Sequence, residues 1–209
     1  MRPRGRPLSF DREKALDRAM RLFWARGYES TSVSDLTQTM GITAPSLYGA
    51  FGDKKRLFLE AVERYLAGPG NYAQQALAQE PTAERCIRRL LMETVDSFFA
   101  PHGIRGCMVI LAATNCSIQS SDVVAELTKR RRMAERMLRE RIVAGQSAGE
   151  LPDDADIDSL AGLVVTTLYG LSIKARDGAS RASLRKIVEQ ALRAWPHDTR
   201  GSGQAGKEV

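Results

Sequence analysis

Three basic residues, Lys54, Lys55 and Arg56, directly follow Asp53 where the pattern predicts a helix to begin. Aspartate is a good N-cap, but positive charge in a first turn opposes the helix dipole, by roughly 0.3–1 kcal/mol per exposed residue. A phosphate would turn that cost into a gain, because an anion suits both the ammonium groups and the unpaired N–H groups of the helix start. The alternative is three solvated charges without a partner. Just upstream, Thr43-Ala44-Pro45-Ser46-Leu47-Tyr48-Gly49-Ala50-Phe51 reads as a short helix. Thr43 can cap it, and Pro45 fits its first turn, where a missing N–H does no harm. Leu47 and Phe51 are apolar, while Ala44, Pro45, Ser46, Gly49 and Ala50 are small. Small outward residues let a helix approach base edges closely, with its N-terminal residues reaching the bases.

The elements that must carry these residues are readable around them. Ser32-Val33-Ser34-Asp35 has capping-box spacing, Val33, Leu36 and Met40 give the helix it opens one apolar side, and Gly41 breaks it. Residues 31–56 thus form a helix, a tight turn and a second helix, followed by the lysine-led one: a helix-turn-helix. A preceding helix, 10–26, places Leu16, Ala19, Met20 and Phe23 on one face and stops before Gly27. Residues 1–8 hold Arg2, Arg4 and Arg6 between Pro and Gly, a composition expected to be a flexible basic arm able to follow a minor groove. Residues 1–56 contain 11 Lys and Arg against 6 Asp and Glu, so +5 of the net +6 sits in the first quarter. That asymmetry points to a polyanionic partner.

The rest of the chain reads as helix after helix, with no strand pattern or repeat. The lysine-led helix continues from Leu57, stops near Gly68-Pro69-Gly70 and can resume over 73–78. Another starts at Pro81-Thr82, an apolar one covers 104–113, and a long one runs over 121–148. Lys129-Arg130-Arg131-Arg132 resembles a second nucleic-acid patch. Interleaved Glu126, Glu135 and Glu140 instead suggest a solvated face with i,i+4 pairs. Leu160 to Ile173 is apolar nearly all round, as expected of a helix buried on more than one side. Together with a final helix over 183–195, it is expected to meet a second copy through Leu160, Val164, Leu168, Leu171, Ile187, Ala191 and Leu192. Residues 197–209 read as a flexible tail. The expected architecture is all-α, with about nine helices.

No apolar run approaches a membrane span, and the basic start has no apolar stretch behind it to make a secretory signal. Reduced thiols in a cytoplasm are therefore expected for Cys86, Cys107 and Cys116. His102 and His197 are the only histidines, and no Cys/His spacing suggests a metal site, so neither metal nor cofactor is expected.

The pattern Ala19…Phe23…Gly27-Tyr28…Thr31-Ser32-Val33…Leu36…Gly41-Ile42-Thr43…Leu47-Tyr48…Phe51-Gly52-Asp53-Lys54…Leu57 resembles the TetR family of bacterial transcriptional regulators. The resemblance covers about the first 65 residues; beyond them it is one of architecture. It implies a helix-turn-helix domain over 9–69, with the motif at about 32–51, and a ligand-binding and dimerisation domain over 70–196. It implies a homodimeric repressor on a near-palindromic double-stranded operator, released by an unknown small-molecule inducer or by modification. By position, Thr43, Ala44, Pro45, Ser46 and Gly49 would face bases, and Thr31, Ser32, Tyr48 and Lys54 would contact phosphates. Gly49-Ala50 departs from the bulkier residues common in the family, which shifts readout toward Ser46, Thr43 and the arginine arm. Gly106-Cys107-Met108-Val109 and Leu171-Ser172-Ile173-Lys174-Ala175-Arg176 are similar to a subgroup in which a cysteine senses oxidants or electrophiles beside a lysine. An ammonium lowers a thiol pKa, so Cys107 with Lys174 is a candidate sensor; the alternative is a small buried hydrophobe and a helix-end cation. Two other classes remain for comparison. A sequence-tolerant architectural DNA-binder would share the basic first quarter. An enzyme with Cys107 as nucleophile lacks a credible base, oxyanion hole or cofactor loop, so no catalytic activity is expected.

Overall fold

In a computed structural model that describes residues 10–101 and 103–196, ten α-helices follow one another with no strand among the described residues. They are α1 (Arg12–Arg26), α2 (Val33–Met40), α3 (Ala44–Phe51), α4 (Lys54–Ala67), α5 (Tyr72–Gln79), α6 (Ala83–Ser97), α7 (Met108–Leu111), α8 (Ser121–Ser147), α9 (Ile157–Arg176) and α10 (Arg181–Leu192). One 3₁₀ turn, Ile118–Ser120, precedes α8. The arginine arm and the tail at 197–209, like His102 and His197, lie outside the described residues.

The chain divides into two compact units, residues 1–71 with 104–128, and 72–103 with 129–209. The first unit therefore takes in a later stretch that the sequence reading placed in the C-terminal domain. Its helices start where side chains can hold their free N–H groups. Asp11 accepts from the Lys14 N–H, Thr43 from Ser46 and Asp53 from Arg56, while Ser32 and Asp35 cap each other reciprocally. Gly41, left-handed at φ 71°, makes the turn between α2 and α3. The predicted stripe of α1, with Trp24 added, is buried against α4. Phe23 meets Phe58 edge-on with ring centres 5.1 Å apart, and Trp24 meets Tyr65 at 4.8 Å.

The stretch 104–113 is not the full helix predicted for it. Gly106 has a φ of 84° and Cys107 is extended, so only Met108–Leu111 is helical. The apolar run is buried all the same, through Met108, Val109, Ala112 and Ala113. It is held by the Trp24 indole N–H on the Gly106 carbonyl at 2.6 Å and by the Tyr28 N–H on the Ala112 carbonyl at 2.7 Å.

In the second unit, α6 packs against α5, α9 and α10. Ile87, Leu91 and Val95 of α6 are buried, and Thr94 satisfies its hydroxyl on the Leu90 carbonyl at 2.7 Å. Glu150 accepts the Ala83 N–H at 2.6 Å, and Gly145 admits the start of α6 where a Cβ would stand 2.7 Å from the Ala83 Cβ. α9 is long and apolar enough by composition to cross a membrane, contrary to the sequence expectation. Its Ala161, Val164, Leu171 and Ala175 are buried within this unit, and much of the rest of the helix is not.

Candidate nucleic-acid interface

The face of α3 opposite Leu47 and Phe51 is open: Thr43, Ala44, Pro45, Tyr48 and Gly49 are exposed, and Ser46 is half-buried. Pro45 and Gly49 lie one turn apart on it. A Cβ on Gly49 would meet nothing within 4 Å, so the helix surface there is a shallow gap. The hydroxyls of Thr43 and Ser46 face each other at 2.9 Å, and Thr43 also accepts the Ser46 N–H. With the sequence APSLYGAF, α3 has no guanidinium, ammonium or amide to fork onto a guanine or adenine edge. Its surface offers methyl groups, a proline ring, two mutually paired hydroxyls and the Tyr48 phenol.

The four residues expected at phosphates are placed differently from one another. Thr31 is fully buried and its hydroxyl donates to the Gly27 carbonyl at 2.7 Å. That corrects its assignment: the side chain ties down the end of α1 and has no path to a phosphate. Ser32 is exposed, with its hydroxyl engaged by Asp35 at 2.6 Å in the capping box. Tyr48 is 49% exposed. Lys54 is half-buried, its ammonium 4.2 Å from the centre of the Tyr28 ring. Burial lowers its pKa, against the opposing pull of Glu29. Glu29 is itself held below the ordinary carboxylate range, first by the Ser117 hydroxyl and then by Ser120.

Lys55 and Arg56 also have local partners. Lys55 pairs with Asp122 at 2.5 Å, and Arg56 lies 3.8 Å from Asp53. The first turn of α4 is therefore less uncompensated than its sequence suggests. Only Arg56 of the three is fully exposed. Tyr28 is both core and platform: it packs on Phe58 with centres 5.0 Å apart and carries Lys54.

Cys107 is half-buried at the N-terminus of α7 in the first unit, and Lys174 is exposed on α9 in the second. Burial raises the pKa of Cys86 and, together with Glu29, that of Cys116, so neither favours the reactive thiolate. Among the described residues, no three His, Cys, Asp or Glu side chains gather closely enough to hold a metal ion. Of the seven residues expected to meet a second copy, Val164, Leu171 and Leu192 are buried in their own unit, while Leu160, Leu168, Ile187 and Ala191 are half-buried. The exposed apolar side chains of α9 are Leu163 and Ile173, at 40% and 52%. Nothing lies within 4 Å of a Cβ built on Gly162 or Gly170. A cleft of about 10 Å³ between α6, α9 and α10, lined by Ile87, Leu91, Leu160, Val164 and Trp195, has room for about one water.

Residues 15–61 match the profile described as bacterial regulatory proteins, tetR family. The chain is 37% identical over 194 residues to the HTH-type transcriptional repressor ComR of Escherichia coli, covering 92% of each chain. It is 30% identical over 176 residues to the repressor BdcR of the same organism, covering 84% of each. Among solved structures it is similar to the TetR family transcriptional regulator CifR, a cysteine-substituted variant complexed with 26-base-pair operator DNA. That likeness has 44% identity and a TM-score of 0.87, and covers 92% of this chain and all of the other.

Proposed function

This chain belongs to the TetR family of bacterial transcriptional regulators, and from that premise we propose that it is a homodimeric repressor of a near-palindromic operator. In this reading α3 lies in the major groove with Thr43, Ala44, Pro45, Ser46 and Gly49 toward the bases. Tyr48, Ser32 and Lys54 meet the phosphates flanking it. The observation that carries the reading is the open face of α3 beside the lysine-led start of α4. ComR and BdcR, both repressors, and CifR bound to operator DNA support it. The test is selection of duplexes from a random pool by the full chain, followed by competition against random DNA at fixed salt. A specific regulator keeps a preference of at least about 10³-fold.

One observation favours a second reading, a sequence-tolerant DNA-binder. α3 lacks the forked side chains that give the largest base discrimination. A preference near unity in the same competition selects that reading.

Release is proposed to come from a small molecule or from modification of Cys107. The cleft between α6, α9 and α10 is far smaller than the roughly 300–1,000 Å³ of a typical ligand site. A ligand bound there would have to open it. The Cys107 route makes its own prediction. Cys107→Ser should bind operator as tightly as the native chain and should no longer be released by peroxide or an electrophile. Release equal to that of the native chain rules out Cys107 as the trigger.

A further inference from the structure

We propose that Arg12 is the residue that positions the base-reading helix. This rests on the reading of α3 as the element that enters the major groove. α3 is eight residues long, below the roughly 12–15 that an isolated helix needs in water, so its orientation comes from its anchors. Leu47 and Phe51 fix its inner side, and Thr43 closes its start. Its last turn has no basic residue of its own; the Gly52 N–H reaches the Tyr48 carbonyl at 2.9 Å and the Asp53 N–H the Phe51 carbonyl at 3.2 Å, while the Ala50 carbonyl has no partner within the helix. Arg12, at the start of α1, reaches this end. Its Nη2 donates to the Ala50 carbonyl at 3.4 Å, and its guanidinium carbon lies 4.4 Å from the centre of the Phe51 ring. A cation there also complements the negative end of the α3 dipole.

The guanidinium is in turn fixed on α4. Nη1 and Nη2 donate to the two carboxylate oxygens of Glu60 at 2.6 and 2.8 Å. One planar side chain therefore ties α1, the exit of α3 and α4 together. A two-point fork plus a ring contact restrains both distance and tilt, which a lysine point charge would not do. The pair is about one-third exposed on each side, so its bare Coulomb attraction contributes little. Its consequence is geometric: with the fork broken, the exit of α3 keeps its short connection to α4 and its buried Leu47 and Phe51 but loses this tie to α1, and the base-facing residues lose their register.

The test uses full-length Arg12→Gln and Glu60→Gln. Each is titrated at several salt concentrations against a duplex enriched by the native chain and against a scrambled one. Both variants should lose about tenfold on the enriched duplex, the discrimination that a well-placed base contact carries. Arg12→Gln should keep native affinity for the scrambled duplex and the native salt slope, and Glu60→Gln should bind the scrambled duplex at least as tightly as the native chain. Glu60→Gln is the sharper arm, because removing a negative charge from a DNA-binding head should tighten binding by simple electrostatics, whereas mispositioning weakens it. It is also isosteric, and carries the test if Arg12→Gln fails to fold. A slope shallower by about one for Arg12→Gln would make Arg12 a phosphate contact and overturn the proposal. Parallel losses on both duplexes, an unchanged preference, or tighter binding of the enriched duplex by Glu60→Gln also overturn it. If the native chain enriches no sequence, it is the specific reading of α3 that fails, and this inference falls with it.

Discussion

Lys54 shows what a residue's neighbours add to its type. In sequence it is the first of three cations at a helix start, and the dipole cost suggested an external anion. In the structure its ammonium already rests on the Tyr28 ring, while Lys55 has Asp122 and Arg56 has Asp53 nearby. The dipole cost is therefore partly met within the fold, and the case for phosphate contact rests on position more than on missing partners. A lysine partly dehydrated by an aromatic ring is cheaper to move onto a phosphate than a fully hydrated one. Lys54→Ala should weaken binding to all duplexes about equally and lower the salt slope by about one. Fluorescence anisotropy at three or more salt concentrations reads this, and an unchanged slope removes Lys54 from the phosphate contacts. Thr31 shows the opposite case. A threonine just before a capping box looks solvent-facing in sequence, whereas in the fold it is buried with its hydroxyl on the Gly27 carbonyl.

Elements were legible to the extent that their signals are local. The ends of α2, α3 and α4 follow from Ser32, Asp35, Gly41, Thr43 and Asp53, each acting within four residues. α7 is shorter than its apolar run because such a run marks burial without marking helix; Gly106 at φ 84° and the extended Cys107 break it, with the Gly106 carbonyl held by the Trp24 indole. The capping box makes an acid-stability prediction. Hydrogen bonds from the Ser32 hydroxyl, and then its N–H, hold Asp35 below the ordinary aspartate range. Its contribution is therefore fully present above the unfolded value of about 4 and lost as pH falls through the lower folded value. The difference in urea midpoint between the native chain and Asp35→Asn should accordingly shrink below about pH 4. A constant difference across that range shows that the ionised carboxylate is not what stabilises α2. Two glycines separate backbone need from surface. Gly27, at φ 82° and ψ 171°, occupies a region open essentially to glycine alone, and a Cβ would stand 3.1 Å from the Ala112 carbonyl. Gly27→Ala should cost about 1–3 kcal/mol in denaturant unfolding. Gly49→Ala, inside a helix with open space around it, should instead add about 0.5–1 kcal/mol, and any loss of operator affinity would then come from the added methyl at the interface. Equal effects of the two substitutions would contradict this division.

At the scale of the whole molecule, α9 sets the open question of assembly. Its apolar character all round was legible from residues 160–173, and a dimer was the simple explanation. Which residues of it face outward was not, because periodicity cannot assign sides to a helix without a polar stripe. Within its own unit α9 buries Ala161, Val164, Leu171 and Ala175, and leaves Ile173 and the open glycines 162 and 170 uncovered; Leu163 borders the cleft to α6 and α10 and is 40% exposed. Small residues beside exposed large ones let two helices approach closely, which suits a self-complementary contact between copies. A charge placed at Leu192 would strike the unit's own core and unfold it before testing any interface. Leu163→Glu and Ile173→Glu are the informative substitutions. Each should keep the native helical content and give a monomeric mass by sedimentation. Each should also bind a palindromic duplex no better than a single half-site, since the second head no longer comes with the first. A dimeric mass for both, with undiminished palindrome binding, would move the interface off this face of α9.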